Sequence, residues 1–304
     1  MIQTVLGDIL PGELGVTMCH EHISMDLSHV RQDKDSVFRD RELILAELTK
    51  LKDFGGKSVV EVTSADMGRK IDDLVYYSTQ LGINIIASTG AYLKPYHNEW
   101  ILNSPIDEIA RYFIKEITTG VEDTNIKAGI IAEIATSGEV IYESEKKVFY
   151  AAGLASAATG CAVSTHCDMG ANGISQIDML IKAEADPKKI ILGHIDLAED
   201  IEYQVELLER GVNIAYDTIG KVTYLPDTIR ARNLVKLIDQ GYEDRLLLSQ
   251  DVSRISYMTA YGGKGYTAVL GCFVDMLEEM GVSQERLCKL LIENPARILN
   301  IEKE

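Results

Sequence analysis

The sequence lacks a paired-cysteine motif, which argues against two common ways of stabilising a small domain. Its five cysteines are odd in number and scattered, without a CxxC pair: Cys19, Cys161, Cys167, Cys272 and Cys288. A disulfide framework or a structural zinc module needs regularly spaced cysteines, so neither is expected. The fold must instead be held by a hydrophobic core, and 304 residues of 46% hydrophobic composition allow a large one.

Long hydrophobic runs are also missing. No stretch approaches the roughly 18 to 20 apolar residues that a membrane-spanning helix needs. The first eight residues show no basic segment followed by an apolar run, so no signal peptide is apparent. A reduced, soluble protein of the cytoplasm, without a membrane partner, is therefore predicted.

Basic residues are scarce relative to acidic ones. There are 30 Lys and Arg against 47 Asp and Glu, which gives a formal net charge of −17. Nucleic-acid binding relies on clustered Lys and Arg that neutralise phosphates, so no nucleic-acid partner is expected. An anionic small molecule is not excluded, because a few local cations can outweigh the overall charge. The oligomeric state is left open, with a homodimer as one option.

Eight short apolar runs, each followed by an amphipathic helical pattern, organise the chain. They are rich in Val and Ile without polar alternation, which is typical of strands buried on both faces of a parallel sheet. The runs lie at 14–18, 58–62, 83–88, 129–134, 162–165, 190–192, 212–216 and 246–248. Eight such units without a Pro/Gly/Ser-rich linker predict an α/β fold, a single (β/α)8 TIM barrel domain spanning residues 1–304. An open doubly wound sheet is the structural alternative.

Side chains that bind metals recur where the predicted strands end, and this is the functional end of a TIM barrel. The first strand leads into His20 and His22, whose imidazoles point to the same side of an extended chain. The other candidates follow the fourth, fifth, sixth and eighth runs: Glu133, His166, His194 and Asp251. A single histidine at a strand end is more often a hydrogen-bonded core residue. Here four of six histidines share one end, so a metal site is favoured, while His29 and His97 stay unassigned.

Short motifs along nearly the whole chain occur in the order found in a known family. They are TVLG at 4–7, LGVT at 14–17, HEH at 20–22, AGIIAEI at 128–134, STH at 164–166, GHID at 193–196, DTIGK at 217–221, DVSR at 251–254 and ENPAR at 293–297. Together they resemble the phosphotriesterase family of the amidohydrolase superfamily, in the branch of phosphotriesterase homology proteins and phosphotriesterase-like lactonases. The resemblance implies a metal-dependent hydrolase.

The same resemblance implies two divalent metal ions and assigns most of their ligands. His20, His22 and Asp251 would hold the more buried ion, and His166 and His194 the more exposed one. Two divalent ions roughly 3.5–4 Å apart can share a hydroxide, because coordination lowers the pKa of water towards 7. That hydroxide would be the nucleophile. Asp251 would also be catalytic, since it could take the proton of the water and pass it to the leaving group.

The bridging ligand departs from the best-known members of the family. They use a carboxylated lysine, whereas Glu133 occupies the matching position here, as in the branch that uses glutamate. Lys127 precedes the strand and is wrongly placed to substitute. Zinc is the expected metal, with manganese, iron or cobalt as alternatives that histidine and carboxylate ligands also suit.

Loops after the third, seventh and eighth runs carry cations interleaved with tyrosines. The candidates for substrate binding are Tyr92, Lys94, Lys221, Arg254, Tyr261 and Lys264. Such a rim suits a phosphate or carboxylate on a polar small molecule. The alternative is that the lysines and the arginine of this set are solvated charges on the surface.

The leading hypothesis is a lactonase that opens a sugar-type lactone, with or without a phosphate group, by hydroxide attack on the carbonyl. Large aromatic residues, on which the triester pockets of the family rely, are few: one Trp and five Phe. A phosphoester or phosphotriester hydrolase with the same metals is therefore the second hypothesis. An amide hydrolase of small N-acyl substrates is the third. A non-catalytic metal-binding barrel is disfavoured, because every expected ligand position is filled.

Overall fold

The computed structural model describes residues 1–302 and contains ten β-strands within them. The first two strands, β1 (Ile2–Thr4) and β2 (Gly7–Ile9), form an antiparallel hairpin. The other eight are parallel and form the barrel: β3 (Thr17–Glu21), β4 (Ser58–Glu61), β5 (Asn84–Thr89), β6 (Ile130–Thr136), β7 (Val163–Cys167), β8 (Ile190–Gly193), β9 (Asn213–Tyr216) and β10 (Leu246–Leu248).

The order of the strands distinguishes the two predicted architectures. Each barrel strand pairs with the strand that follows it in sequence, so the order from β3 to β10 never reverses. A doubly wound sheet requires a reversal of strand order. The open-sheet alternative is therefore wrong, and the predicted TIM barrel is confirmed. That one domain spans residues 1–304 stays a prediction, and residues 303 and 304 lie outside the described part of the chain.

Helices alternate with the barrel strands and cover them from outside. Those in residues 1–302 are α1 (Ser28–Arg31), α2 (Arg41–Asp53), α3 (Ile71–Leu81), α4 (Glu99–Asn103), α5 (Ile106–Thr118), α6 (Glu143–Thr159), α7 (Gly173–Lys182), α8 (Ile201–Glu209), α9 (Asp227–Asp239), α10 (Val274–Glu279), α11 (Gln284–Cys288) and α12 (Asn294–Leu299). Across the described residues, no helix combines the length and apolarity needed to cross a bilayer.

The hydrophobic core has two layers. The larger layer fills the space between the strands and the surrounding helices. The smaller one collects side chains from seven of the eight barrel strands and from Ala162, the residue before β7, which is the arrangement expected inside a barrel. Ile2 of β1 and Ile298 and Leu299 of α12 join that inner layer. The N-terminal hairpin and the last helix therefore close the end of the barrel at which the strands begin, opposite their C-terminal ends.

Most predicted strands match the structure within one or two residues, but the first is displaced. The apolar run predicted a strand at 14–18, whereas β3 spans Thr17–Glu21. Leu14 ends a short 3-10 turn, and Gly15 has a φ of 68°, so extended backbone begins only after them. His20 consequently lies inside the strand rather than beyond it.

A fully buried arginine fastens the loop that follows β9. The guanidinium of Arg230 donates to the Asp196 carboxylate at 2.6 Å, to the Thr218 hydroxyl at 2.7 Å and to the carbonyl of Leu225. Arg230 and Asp196 are both 0% exposed. A buried carboxylate that loses its cation is strongly destabilising, because no water replaces the lost partner.

The Arg230→Met variant should therefore lower the free energy of unfolding by about 3–5 kcal/mol. Chemical denaturation followed by circular dichroism measures this change. Arg232 is exposed on the same helix, so Arg232→Met is the matched control and should stay within about 0.5 kcal/mol of the parent. Equal losses in the two variants would show that burial of the ion pair is not the cause.

Candidate metal centre

All six metal-ligand candidates converge at the C-terminal end of the barrel. Three of them lie within strands and the others in the residues that follow a strand: His20 in β3, Glu133 in β6, His166 in β7, and then His22, His194 and Asp251. Five of the six are at most 6% exposed, and only His166 is partly open to solvent. Histidine and carboxylate atoms in this group lie close enough together to hold a metal ion.

Irregularities in two strands help to aim the ligands. The pairing register of β3 with β4 shifts between Met18 and Glu21, next to His20. The register of β6 with β7 shifts between Ile131 and Ile134, around Glu133. In a regular strand neighbouring side chains face opposite sides, whereas a bulge can turn one of them towards its neighbour's face. His20 and Glu133 can thus face the cluster although Cys19 and Ala132 already pack in the inner core.

The carboxylate of Glu133 lies at the centre of the four imidazoles. Its Oε1 is 2.7 Å from His166 Nδ1, 3.2 Å from His194 Nε2 and 3.3 Å from His20 Nε2. Its Oε2 is 3.7 Å from His22 Nε2. One carboxylate therefore faces both histidine pairs, as a bridging ligand must.

The hydrogen bonding of these residues fits bound cations. Neither ring nitrogen of His20 has a hydrogen-bond partner, although the side chain is 1% exposed. If His194 is neutral, its Nδ1 donates to Asp217 at 2.8 Å, so its Nε2 carries a lone pair. That Nε2 faces His166 Nδ1 at 2.9 Å and a carboxylate oxygen of Glu133. Ring nitrogens and carboxylate oxygens that face one another in this way are arranged as a divalent cation requires of its ligands.

A second layer of residues orients the histidines. Asp217 Oδ1 accepts hydrogen bonds from the backbone N–H and the ring of His194, and its Oδ2 lies 3.2 Å from His20 Nδ1 without forming a hydrogen bond. The Thr63 hydroxyl contacts His22 Nδ1 at 2.8 Å. Such partners fix the ring and tautomer of a metal-binding histidine. The sequence pattern did not single out Asp217, although it directly follows β9 just as His194 directly follows β8.

The charges of the cluster influence one another strongly. Burial opposes ionisation of Glu133, but His166 and His20 outweigh it and hold the pKa of Glu133 well below its usual range. Burial also opposes a charge on His194, yet Asp217 and Glu133 raise the pKa of His194 well above its usual value. At His22 burial prevails and lowers the pKa. The carboxylates thus favour positive charge within the cluster. Divalent ions bound by neutral imidazoles would provide that charge.

A cavity of about 240 Å³ opens above the cluster, and three of the predicted substrate-binding residues line it. Tyr92 stands edge-on to the ring of His166, with ring centroids 5.2 Å apart. The ammonium group of Lys221 donates to Asp251 Oδ2 and lies 3.1 Å from the Ser253 hydroxyl. Lys221 is therefore tied to a candidate metal ligand as well as facing the cavity.

Two arginines line the same cavity, and the sequence pattern indicated only Arg254. Its guanidinium lies 3.5 Å from Asp35 and 3.6 Å from Asp33, all three groups being about one third exposed. The other is Arg31, the last residue of α1. The signal that could have indicated it is the long loop that follows the first strand, since such loops carry function in compact domains.

The remaining predicted substrate-binding residues do not line this cavity. The ammonium group of Lys94 lies over the ring of Tyr142, 3.9 Å from its centroid. Tyr261 is 64% exposed. Lys264 faces Asp227, with 3.9 Å between Nζ and Oδ2. The structure thus brings Tyr92, Lys221 and Arg254 together and leaves these three apart.

Comparison with known proteins identifies relatives along the whole chain. The model of the phosphotriesterase family matches residues 1–299. The phosphotriesterase homology protein of Escherichia coli is 35% identical over 93% of this chain and 97% of the relative. An N-acetyltaurine hydrolase of Xenopus tropicalis is 31% identical over 99% and 98%. A phospho-furanose lactonase of Mycoplasmopsis synoviae is 30% identical over 99% and 92%.

Solved structures agree with this relationship. The crystal structure of the phosphotriesterase homology protein from E. coli, complexed with phosphate in its active site, superposes with a TM-score of 0.92 at 35% identity. That match covers 95% of this chain and 99% of the other. A lactonase from Listeria monocytogenes gives a TM-score of 0.94 at 27% identity, with 99% of each chain covered.

The central position of Glu133 generates a prediction about metal content. Glu133→Gln should lose most bound metal, because a neutral amide cannot offset the charge of two divalent ions. Elemental analysis of the purified protein measures the loss. Glu145→Gln is the control, since Glu145 is equally buried but accepts hydrogen bonds from Ser137 and the backbone of Tyr142. Full metal content in Glu133→Gln would remove Glu133 from the role of bridge.

Proposed function

The chain belongs to the phosphotriesterase family and is a metal-dependent hydrolase, and on this basis we propose that it opens a sugar-type lactone bearing a phosphate or carboxylate group. One observation carries the proposal. The cavity holds the histidine–carboxylate cluster at one side and the cations Lys221, Arg254 and Arg31 in its lining. A substrate with a hydrolysable carbonyl and a separate anionic group complements both.

We propose the six residues of the cluster as ligands of two divalent ions. His20, His22 and Asp251 would hold one ion, His166 and His194 the other, and Glu133 both. When bound, the ions supply a Lewis acid that polarises the scissile carbonyl and acidifies the attacking water. Zinc is the metal we propose, because this mixture of nitrogen and oxygen ligands suits it.

Asp251 is the residue that we propose to move the proton. Its Oδ1 lies 3.3 Å from His22 Nε2, and its Oδ2 accepts from Lys221. Burial opposes its ionisation, but Lys221 and His22 outweigh burial and hold the pKa of Asp251 below its usual range. The carboxylate is consequently ionised at neutral pH, and its unprotonated oxygens would accept the proton of the attacking water, although the same contacts weaken it as a base. Passing that proton to the ring oxygen of the lactone would complete the opening.

The cations of the cavity would bind the anionic group of the substrate. Lys221 and Tyr257 are neighbours, with 5.3 Å between the ammonium group and the ring, and Arg254 is half-buried beside them in the cavity lining. The phosphate in the active site of the E. coli relative and the phospho-furanose substrate class of the Mycoplasmopsis relative support this assignment. One of these relatives has phosphate in its active site, and the name of the other describes a phosphorylated substrate.

Amide hydrolysis is the second candidate. It is favoured by the relatives that are N-acetyltaurine hydrolases, whose similarity also extends over 99% of the chain. N-Acetyltaurine combines a carbonyl with a sulfonate anion, so the same cavity would suit it in outline. Assaying a panel of phosphorylated and neutral lactones beside N-acyl amino sulfonates distinguishes the two candidates.

Replacing Asp251 tests the proton transfer. Asp251→Asn should turn over at least about a hundredfold more slowly, the scale of lost acid–base assistance, while retaining most of its metal. Steady-state kinetics and elemental analysis measure the two quantities on the same preparation. Wild-type turnover in this variant would exclude Asp251 from the chemical step.

Replacing Arg254 tests the anion site. Charge-assisted hydrogen bonds are worth roughly 1.5–3 kcal/mol, so Arg254→Ala should lower kcat/KM for a phosphorylated lactone by about one to two orders of magnitude. The neutral analogue should be hardly affected. Lys264→Ala is the control, because Lys264 lies outside the cavity lining. Equal losses on both substrates, or none on either, would reject the anion site and leave the hydrolase assignment intact.

A further inference from the structure

Glu21 lies between His20 and His22 in sequence, yet its carboxylate is directed at another strand. It is 0% exposed, and its partners lie in the segment that follows β10. Its Oε1 accepts from the Ser249 hydroxyl at 2.6 Å and from the backbone and side-chain N–H groups of Gln250 at 2.9 Å each. Its Oε2 accepts from the backbone N–H of Val252 at 3.0 Å.

The hydrogen-bond partners of Glu21 lie on both sides of Asp251 in the sequence. The two backbone amides that Glu21 holds belong to the residues immediately before and after Asp251. The amide of Asp251 itself donates to the carbonyl of His20 at 3.2 Å. We infer that Glu21 is a positioning residue that fixes the turn at Asp251 and so aims its carboxylate at the cluster.

The backbone at Asp251 needs such support. Its φ is 46°, in the left-handed region that residues other than glycine rarely adopt. A conformation of this kind persists only where surrounding contacts enforce it, and it is common at functional sites. Two hydrogen bonds from one carboxylate to the flanking amides provide that enforcement.

A carboxylate suits this role better than an amide. Among the described residues no backbone ladder joins β10 to β3, and the amides of Gln250 and Val252 have the side chain of Glu21 as their acceptor. Glu21 offers two acceptor oxygens to them. A glutamine would present an NH2 group to one of those N–H groups, and two donors in a buried site repel each other.

A second buried carboxylate provides a matched control. Glu61 in β4 is also 0% exposed, and it accepts from the backbone N–H groups of Ile23 at 3.3 Å and Thr63 at 3.1 Å. It therefore supports the segment after β3 and not the turn at Asp251. Glu61→Gln should carry a comparable cost of burial, and Glu61 makes no hydrogen bond to the amides on either side of Asp251.

The inference rests on the proposed role of Asp251, and a double-mutant cycle tests it. Glu21→Gln should lower kcat at least tenfold in the parent enzyme but less than threefold in the Asp251→Asn background. Glu61→Gln should lower kcat by the same factor in both backgrounds. Additive effects of Glu21→Gln and Asp251→Asn would overturn the proposal, because residues that act through one another are not additive. If Glu21→Gln does not fold, Glu21→Asp, which keeps the charge on a shorter side chain, enters the same cycle.

The cycle should be run with an activated aryl ester as well as with a lactone. A protein that hydrolyses the ester but no lactone contradicts the proposed substrate and leaves the cycle interpretable. Amide hydrogen exchange of the metal-free protein adds a readout that needs no turnover. The amides of Gln250 and Val252 should exchange at least tenfold faster in Glu21→Gln and at the parent rate in Glu61→Gln. Unchanged exchange in Glu21→Gln would also overturn the proposal.

Discussion

One buried carboxylate, that of Glu133, is the group on which the rest of the site depends. Ring nitrogens of four histidines, which lie in β3 and β7 or directly after β3 and β8, are 2.7–3.7 Å from its two oxygens. A charge this deeply buried is tolerated only where opposite charge surrounds it. Because the C-terminal ends of parallel strands meet at one end of a barrel, residues more than a hundred positions apart can provide that surrounding.

The groups around this centre are themselves held by charged or polar partners. Asp217 orients His194, Thr63 contacts His22, and Lys221 pairs with Asp251. These contacts orient the candidate ligands. Pre-organised ligands favour metal binding and catalysis in metal sites, since reorganisation during the reaction would add to the activation free energy. Several of these supporting residues are as deeply buried as the candidate ligands themselves.

Relatives with different substrates share this architecture. A phospho-furanose lactonase and an N-acetyltaurine hydrolase each align with nearly the whole chain at about 30% identity. A lactone and an N-acetyl amide both contain a hydrolysable carbonyl group. Loops after different strands contribute the cavity lining of this chain. In this chain those loops supply Arg31, Lys221 and Arg254 to the cavity lining.

The sequence alone determined the barrel and the candidate ligands, because buried strands have a recognisable apolar pattern and their ends mark the functional face. His166 and His194, for example, follow directly from that rule. The register shifts beside His20 and Glu133 could not be predicted, since strand alternation assigns neighbouring side chains to opposite faces. The contacts of Lys94 with Tyr142 and of Lys264 with Asp227 could not be predicted either. Whether a rim cation is free, paired or stacked depends on partners that only the folded chain brings within a few ångströms, and local sequence carries no record of such distances.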